Sequence, residues 1–212
     1  MFAGSVLLDA GLPYKHIKDH VKKISVVLLT HIHGDHFNKT TIRKLHIENS
    51  RIKFLCAEFL LQELLDIGLP ARSIIVVDCG EKYKIGDVIF SPVSLQHDVP
   101  NIGYRIMLGE HKHLHATDTF CMDGIKARDY DTATLECNHE RSRALEIIAR
   151  RHFDGEFCHL ERAIETHLSV DKAINFIAEN NIKTLYPVHI GSLTSAEVDV
   201  KLKASGLNVK YL

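Results

Sequence analysis

The 212-residue sequence contains no tryptophan, and aromatic residues make up only 7% of it. It also has no excess of charge of one sign, since 26 Lys and Arg residues are set against 27 Asp and Glu residues. A nearly neutral chain gives no overall electrostatic reason to bind nucleic acid or an anionic membrane, although it does not exclude a local basic patch.

Long apolar runs are absent as well. No stretch is long enough to cross a bilayer as a helix, and the N-terminus MFAGSVLLDAG lacks the basic segment that begins a signal peptide. The five cysteines are widely spaced and include no C-x-x-C pair, which favours reduced thiols over a disulfide framework. These absences predict a cytoplasmic protein without a membrane partner.

Histidine is the residue present in excess, with 15 copies, and it is the commonest metal ligand in proteins. The length and a hydrophobic content of 45% suit one core, so we expect a single domain over residues 1–212. Helical and strand patterns occur in both halves around a middle rich in short strands, which predicts an α/β fold of sheet layers with outer helices. Among these patterns are a helix over residues 13–23, a continuous strand over 25–31 and a closing strand over 207–212.

The most informative stretch is LLTHIHGDHFN, in which three histidines and an aspartate follow an apolar run. In an extended segment residues two apart point to the same side, so His31 and His33 can bind one ion. Gly34 allows the chain to turn, after which Asp35 and His36 can face a second ion. Two neighbouring ions are suited to phosphodiester or ester hydrolysis, because together they activate a water and clamp the attacking and leaving oxygens. The alternative, a histidine-rich surface turn, does not explain the H-x-H-x-D-H spacing at a strand end.

Three more candidate ligands follow apolar strands elsewhere in the chain. They are His97 in SLQHDVPN, Asp118 in LHATDTF and His189 in LYPVHIGS. A lone histidine after a strand is more often an ordinary loop residue, but three such positions beside the first motif favour a metal site.

Taken in order, LLDAG, THIHGDH, QHD, TDT and PVHIG resemble the five motifs of the metallo-β-lactamase superfamily. The resemblance implies an αββα sandwich with two divalent metal ions at one edge between the sheets; zinc is the first choice for this donor set and manganese the second. It implies that Asp9 supports the metal-binding loop without binding metal itself. The implied ligands are His31, His33 and His97 for one ion, Asp35, His36 and His189 for the other, and Asp118 as the bridge between them.

Further stretches narrow the resemblance to the ribonuclease Z-like and YycJ-like phosphodiesterases. They are LECNHE and the block from ETHLSV to PVHIGS, together with Asp118 where classical β-lactamases often have cysteine. The resemblance places His167 near the scissile phosphate, where it would stabilise developing charge or protonate the leaving oxygen; the alternative is an ordinary helix-start residue. Glu136, Asn138 and His139 have a weaker claim to the site, because a structural hydrogen-bond network explains them equally well.

The sequence therefore predicts a dinuclear metal-dependent phosphodiesterase with His167, Asp35 and Asp118 as catalytic residues. In it a hydroxide that bridges the two ions would attack phosphorus, and the leading substrate is a DNA or RNA strand. One alternative is a phosphodiesterase of cyclic or other small nucleotides. Another, of a different class, is a catalytically silent metal-binding protein that keeps the fold.

The remaining predictions concern assembly and surface. Because so little chain precedes the first strand, we expect a shortened first sheet whose open edge is covered in a homodimer. His111, His113 and His115 share one strand face, which is either a third metal site or, as favoured here, a solvated face. The arginine-rich stretch over residues 141–151 is either a phosphate-binding patch or, as favoured here, an ordinary charged helix face.

Overall fold

The computed structural model describes residues 5–211, and the chain forms two compact units, residues 1–92 and 93–212. Both units combine strands and helices, which confirms the predicted mixed α/β class. The segment before Ser5, from which the shortened first sheet was inferred, lies outside the described residues.

The first unit contains a parallel sheet of four strands in the order β1-β2-β3-β4. All three residues of β2 are buried, as expected for a parallel strand that is covered on both faces. The strands are β1 (Val6–Leu8), β2 (Val26–Leu28), β3 (Lys53–Cys56) and β4 (Ile74–Val76).

Short helices and one hairpin complete this unit. A two-residue turn at Gly86 and Asp87 joins the antiparallel strands β5 and β6, and Gly86 has the positive φ of 58° that such a turn requires. The elements are 3₁₀ helices at Tyr14–His16, Lys18–Lys23, Glu58–Leu60 and Ala71–Ser73, the helices α1 (Lys39–Glu48) and α2 (Leu61–Asp66), and the strands β5 (Tyr83–Ile85) and β6 (Val88–Leu95).

The predicted helix over residues 13–23 is instead two 3₁₀ helices. They are separated at Ile17, whose φ of −111° lies outside the range of a 3₁₀ helix. Ile17 and Val21 are both buried in the core of the first unit against Ile42 and Leu45 of α1, so tertiary packing overrides the α-helical period of this segment.

The second unit is built on a sheet whose strands run in the order β10-β9-β8-β7, followed by residues 93–95 of β6. β7 and β8 are antiparallel, whereas β8, β9 and β10 are mutually parallel. The carboxyl ends of these three parallel strands therefore lie at the same edge of the sheet. The new strands are β7 (Asn101–Leu108), β8 (His111–Ala116), β9 (Thr132–Glu136) and β10 (Thr184–Val188).

The helices of the second unit pack against this sheet and against one another. Leu114 and Leu135 from the sheet pack with Phe176, Ile177 and Leu202 from two of these helices. The helices are α3 (Arg141–Phe153), α4 (Leu160–Thr166), α5 (Val170–Glu179) and α6 (Ser195–Ala204), with a 3₁₀ helix at Ser192–Thr194. Within residues 5–211, none of the helices has the length and apolar character needed to span a membrane.

Two strand predictions need correction. The strand predicted over residues 25–31 ends at Leu28, because the chain leaves the sheet there to enter the histidine loop, residues 31–36. One further sheet contact remains, since the Leu29 amide donates to the Leu55 carbonyl at 2.9 Å. The strand predicted over 207–212 is, in its described part, a single bridge between Leu185 and Val209.

Candidate metal centre

In the first unit, the histidine motif forms a tight turn between β2 and α1. The amides of His36 and Phe37 both donate to the carbonyl of His33, at 2.9 and 2.7 Å. The segment after β1 supports this turn, because the Ala10 amide donates to the His36 carbonyl at 2.9 Å. Gly11 packs so closely that a Cβ there would lie 1.6 Å from the Asp35 carbonyl oxygen. Only glycine fits at this position without displacing the turn.

The turn brings three histidine rings together around His31, which is fully buried. Its ring centroid lies 4.8 Å from that of His33 and 4.4 Å from that of His36. The Asp35 side chain is 62% exposed, and its Oδ2 lies 3.5 Å from His36 Nε2. The four residues that the motif singled out are therefore neighbours in the folded unit.

Asp9 connects β1 to this cluster. Its Oδ1 accepts from the Thr30 amide at 2.8 Å, and its Oδ2 accepts from Thr30 Oγ1 at 2.9 Å and pairs with His36 Nδ1 at 2.7 Å. A ring that donates through Nδ1 keeps its Nε2 lone pair for a metal. Sequence reasoning anticipated a supporting contact from Asp9 but missed Thr30, whose hydroxyl also lies 2.9 Å from His31 Nδ1.

In the second unit, four potential ligands lie at the carboxyl edge of the parallel strands. Asp118, Glu136 and His189 follow or end β8, β9 and β10, and His167 is the residue at which α4 ends. One ligand atom from each of the four lies within 4.8 Å of the others. Two imidazoles and two carboxylates at this spacing can bind zinc or manganese, or some of them can support the others through hydrogen bonds.

Glu136 is the centre of this group and is fully buried. Its Oε1 lies 2.5 Å from His167 Nδ1 and 3.1 Å from His189 Nδ1, and its Oε2 accepts from the Thr119 amide at 2.8 Å. A carboxylate oxygen only accepts, so both rings donate through Nδ1 and both Nε2 atoms carry the lone pair in the neutral form. Sequence reasoning gave Glu136 only weak weight; the available signal was a charged residue at the end of the apolar strand TATLE.

Asp118 lies against the same two histidines, with Oδ1 at 3.3 Å from His189 Nδ1 and 3.7 Å from His167 Nδ1. Its backbone is fixed by the buried Asn101, whose amide donates to the Asp118 carbonyl at 2.6 Å. The Thr117 hydroxyl donates to Asp118 Oδ2 at 2.7 Å. Sequence reasoning missed Asn101, because its partner lies 17 residues away in the chain.

Three predicted site residues have left-handed backbone conformations. Asp9, Asp118 and His189 have φ values of 54°, 55° and 53°, and each follows its strand by one or two residues. In a non-glycine residue this conformation costs on the order of 1–3 kcal/mol and tends to occur at functional sites. The backbone thus stores strain at the three strand ends that carry the candidate residues.

His97 belongs to the neighbourhood of His167, since their ring centroids are 4.9 Å apart. Its Nδ1 donates to the Thr166 carbonyl at 3.1 Å, and its Nε2 lies 3.0 Å from Asp98 Oδ1. Because Nδ1 is engaged by the Thr166 carbonyl, Nε2 is the atom that could bind a metal, in place of its contact with Asp98.

Asn138 and His139 have different surroundings. The Asn138 amide donates to the His189 carbonyl at 3.2 Å, and its own carbonyl accepts from the Gly191 amide at 2.8 Å, so it supports the His189 loop. His139 is buried, and burial lowers its pKa to about 4. Within residues 5–211, neither of its ring nitrogens has a hydrogen-bond partner.

The favoured interpretation of His111, His113 and His115 as a solvated face is wrong for two of the three. His113 is 3% exposed and His115 is 6% exposed, whereas His111 lies at the surface. The His113 ring contacts Thr132 Oγ1 at 2.8 Å and Thr134 Oγ1 at 3.3 Å. Burial, reinforced by the neighbouring histidines, lowers its pKa to about 3. β8 is an inner strand, which explains the burial of this face.

The arginine-rich stretch is consistent with an ordinary charged helix face. In α3, Arg143 pairs with Glu146 at 2.9 Å and with Glu197 at 3.2 Å, and Arg151 lies 4.0 Å from Glu156.

A family model described as a beta-lactamase superfamily domain matches residues 4–190 of the sequence. The chain belongs to the beta-lactamase superfamily. The resemblance to its metallo-β-lactamase members and the predicted fold are thereby confirmed, since a solved structure described as a metallo-beta-lactamase fold protein covers 98% of this chain. No curated protein sequence matches the chain.

Three solved structures illustrate the likeness in fold. Zn²⁺-bound PqqB from Methylobacterium extorquens superposes with a TM-score of 0.71 at 13% identity, covering 99% of this chain and 82% of that one. A diphosphatase of the PhnP family gives 0.70 at 18% identity, covering 99% and 79%. The short form of human tRNase Z gives 0.63 at 13% identity, covering 100% and 87%. At these identities the comparison shows the shared fold.

Proposed function

We propose that this superfamily member is a dinuclear metal-dependent phosphodiesterase that cleaves nucleic acid strands. The observation that carries the proposal is the contact of one buried carboxylate, Glu136, with both His167 and His189 beside Asp118. Solved structures that share the fold include a zinc-bound protein, a diphosphatase and a tRNase Z, which supports both the metal and the phosphate chemistry.

The proposed metal ligands are the seven residues that the motifs predict. Zinc is the metal we favour, and manganese is the second choice, given the two aspartates in the set. When bound, the two ions supply Lewis acidity that activates water and neutralises charge on the phosphoryl oxygens. The ligands are His31, His33, His97, Asp35, His36, His189 and Asp118.

His167 is proposed as the residue that protonates the leaving oxygen. Because its Nδ1 is held by Glu136, its Nε2 is the atom that can carry the transferable proton. In the hydrolysis, an oxygen from water bonds to phosphorus, one proton of that water is released to solvent, and the bond from phosphorus to the leaving alcohol breaks. The proton on His167 Nε2 passes to the alkoxide, and the negative charge of Glu136 stabilises the ring while it is protonated.

The roles of the two histidines can be separated by alanine substitution. His189→Ala removes a proposed ligand, so metal content and activity should fall together. His167→Ala should keep about two metal ions per chain and lose roughly 10²–10⁴-fold in kcat, the usual contribution of a positioned acid or base. The measurements are metal analysis after reconstitution with zinc or manganese, and kcat on a labelled oligonucleotide and on bis(p-nitrophenyl) phosphate.

The leaving group provides the sharper test. p-Nitrophenolate departs with little need of a proton, so the defect of His167→Ala should be smaller on that substrate. His111→Ala, which changes an exposed histidine away from the cluster, serves as the matched control. Loss of metal in His167→Ala would show that it is a ligand, and an equal loss on both substrates would favour charge stabilisation over proton transfer. Intact metal binding without hydrolysis of oligonucleotides, cyclic nucleotides or the chromogenic ester would instead support a catalytically silent protein.

A further inference from the structure

The first unit carries a concentration of positive charge that the neutral overall composition conceals. Six exposed cations lie on the two 3₁₀ helices after β1, on α1 and in the turn just after α1, and we name this cluster the basic ridge. Its members are Lys15, Lys18, Lys22, Lys23, Lys44 and Arg51.

The fold joins these cations into one surface. Lys44 of α1 lies over the Tyr14 ring at 5.4 Å, which fixes α1 beside the first 3₁₀ helix. At the other end, the Asn49 side chain donates to the carbonyls of Val21 and Ile24, both at 3.0 Å. The Arg51 amide donates in turn to Asn49 Oδ1 at 3.3 Å. The two elements are therefore fixed side by side along their length, and their cations share a surface.

The charges of the ridge are not neutralised within the unit. Among residues 5–211, none of its six cations lies within 4.0 Å of a carboxylate oxygen. The acidic residues of the same elements are Asp19 and Glu48. Six cations against two carboxylates give a local excess of positive charge, which attracts a polyanion.

The spacing suits a phosphate backbone. The four lysines from Lys15 to Lys23 lie on the two 3₁₀ helices, which are separated at Ile17. At about 2 Å per residue in 3₁₀ geometry, the lysines are spread over at most roughly 16 Å. A nucleic acid strand presents one phosphate per ~3.4 Å of helix axis. Several consecutive phosphates can therefore contact the ridge at once.

The ridge also adjoins the histidine loop. The 3₁₀ helices begin at Tyr14, and Ala10 and Gly11 just before them are bonded to that loop through the His36 carbonyl and the Asn38 side chain. The chain at the start of the ridge is thus bonded to the loop that carries the proposed ligands.

We propose that the basic ridge binds the phosphate backbone of a nucleic acid strand and positions it at the histidine loop, residues 31–36. The inference rests on the proposed function and extends it to the substrate. A small nucleotide would contact only the catalytic groups, whereas a longer strand would also contact the ridge. The ridge would contact phosphates of the strand that lie beyond the scissile one.

The test measures binding of a fluorescein-labelled oligonucleotide by anisotropy across a salt series. The zinc-loaded protein carries His167→Ala, so that cleavage of the strand is slowed roughly 10²–10⁴-fold during the measurement. Each phosphate contact contributes a slope of about −0.9 on duplex DNA and about −0.7 on a single strand in a plot of log K against log salt. Replacing Lys15, Lys18, Lys22 and Lys23 with Gln should therefore reduce the slope by about 3 to 4. Between about 50 and 200 mM salt, the ridge-intact protein should lose roughly 50- to 150-fold more affinity than the variant.

Two further variants make the result specific. Lys44→Gln with Arg51→Gln, on α1 and its end, should reduce the slope by about half as much as the fourfold change. The control removes four exposed cations elsewhere, Lys82, Lys84, Lys126 and Arg128, and should leave the slope unchanged. An equal effect of the control and ridge variants, or an unchanged slope in the ridge variants, overturns the proposal.

The same proteins with His167 restored separate this proposal from the proposed function. The ridge variants should show a raised KM on oligonucleotides and an unchanged kcat/KM on bis(p-nitrophenyl) phosphate, which does not reach the ridge. If no protein hydrolyses the ester, the phosphodiesterase proposal fails while the binding result stands on its own. Binding to phosphatidylserine vesicles in preference to oligonucleotides would overturn the nucleic acid assignment in favour of a membrane surface.

Discussion

Replacing Glu136 with Gln should disable His167 while preserving the shape of the site. The buried carboxylate has three contacts, one with the Thr119 amide and one with each histidine ring. In one orientation of the new amide, its nitrogen faces the Thr119 N–H, and a buried donor is left without a partner at a cost of about 1–3 kcal/mol. In the flipped orientation the amide nitrogen donates to both rings. That orientation forces His167 and His189 into the opposite tautomer, with the proton on Nε2.

The flipped orientation should prevail, because it satisfies the fully buried Thr119 amide. An aspartate-to-asparagine change that reverses the tautomer of a catalytic histidine in serine proteases costs about 10⁴-fold in kcat. We therefore expect Glu136→Gln to lower kcat by about 10³–10⁴-fold at saturating metal, and to weaken metal binding about 10–100-fold through His189.

The assay is a double-mutant cycle on a nucleic acid substrate at saturating zinc. If Glu136 acts through His167, the double variant Glu136→Gln, His167→Ala should be hardly slower than His167→Ala alone. Glu140→Gln is the matched control, since Glu140 is also buried but contacts Lys201 and the Arg143 amide. Losses that multiply in the double variant would refute the reasoning, and Glu136 would then act independently of His167.

Two further predictions concern stability and assembly. Because the folded pKa of His113 is depressed to about 3 from 6.5, its contribution to stability is present above pH 6.5 and is lost as the pH falls toward 3. Protonation of His113 in the unfolded chain should therefore lower the free energy of unfolding by about 1.4 kcal/mol as the pH falls from 7.5 to 5.5. Urea titrations in the presence of chelator should show that His113→Gln lacks this part of the pH dependence. An identical pH dependence in both proteins would contradict the prediction. The homodimer stays a prediction. In the described part of the sheet β1 pairs only with β2, so we expect a second copy of the chain to cover the open edge of β1 and light scattering to give twice the monomer mass. A monomer would show that the edge of β1 is protected within the chain.

The positions of the candidate ligands were predictable because each lies where an apolar strand gives way to a polar residue. Asp118 and His189 follow parallel strands, and the carboxyl ends of parallel strands meet at one edge. Asp9 was also anticipated, since its motif directly follows β1. These inferences needed only local pattern and one rule of sheet topology.

The contacts among those residues were harder to foresee. Glu136 is separated from His167 by 31 residues and from His189 by 53, so no local pattern marks it as their common partner. The burial of His113 likewise depends on the register of β8 against β9, which places Thr132 opposite it. The 3₁₀ geometry around Ile17 followed from packing against α1 rather than from the spacing of its apolar residues.

The left-handed conformations of Asp9, Asp118 and His189 have a consequence for how the protein can change. Glycine adopts that conformation without steric penalty, so replacing any of the three with glycine would relieve the backbone while deleting a side chain of the proposed site. Selection for heat resistance alone would therefore favour inactive variants at these positions, and selection for activity would hold the chain below its attainable stability. The strand ends are where the demands of the reaction and of folding oppose each other most directly.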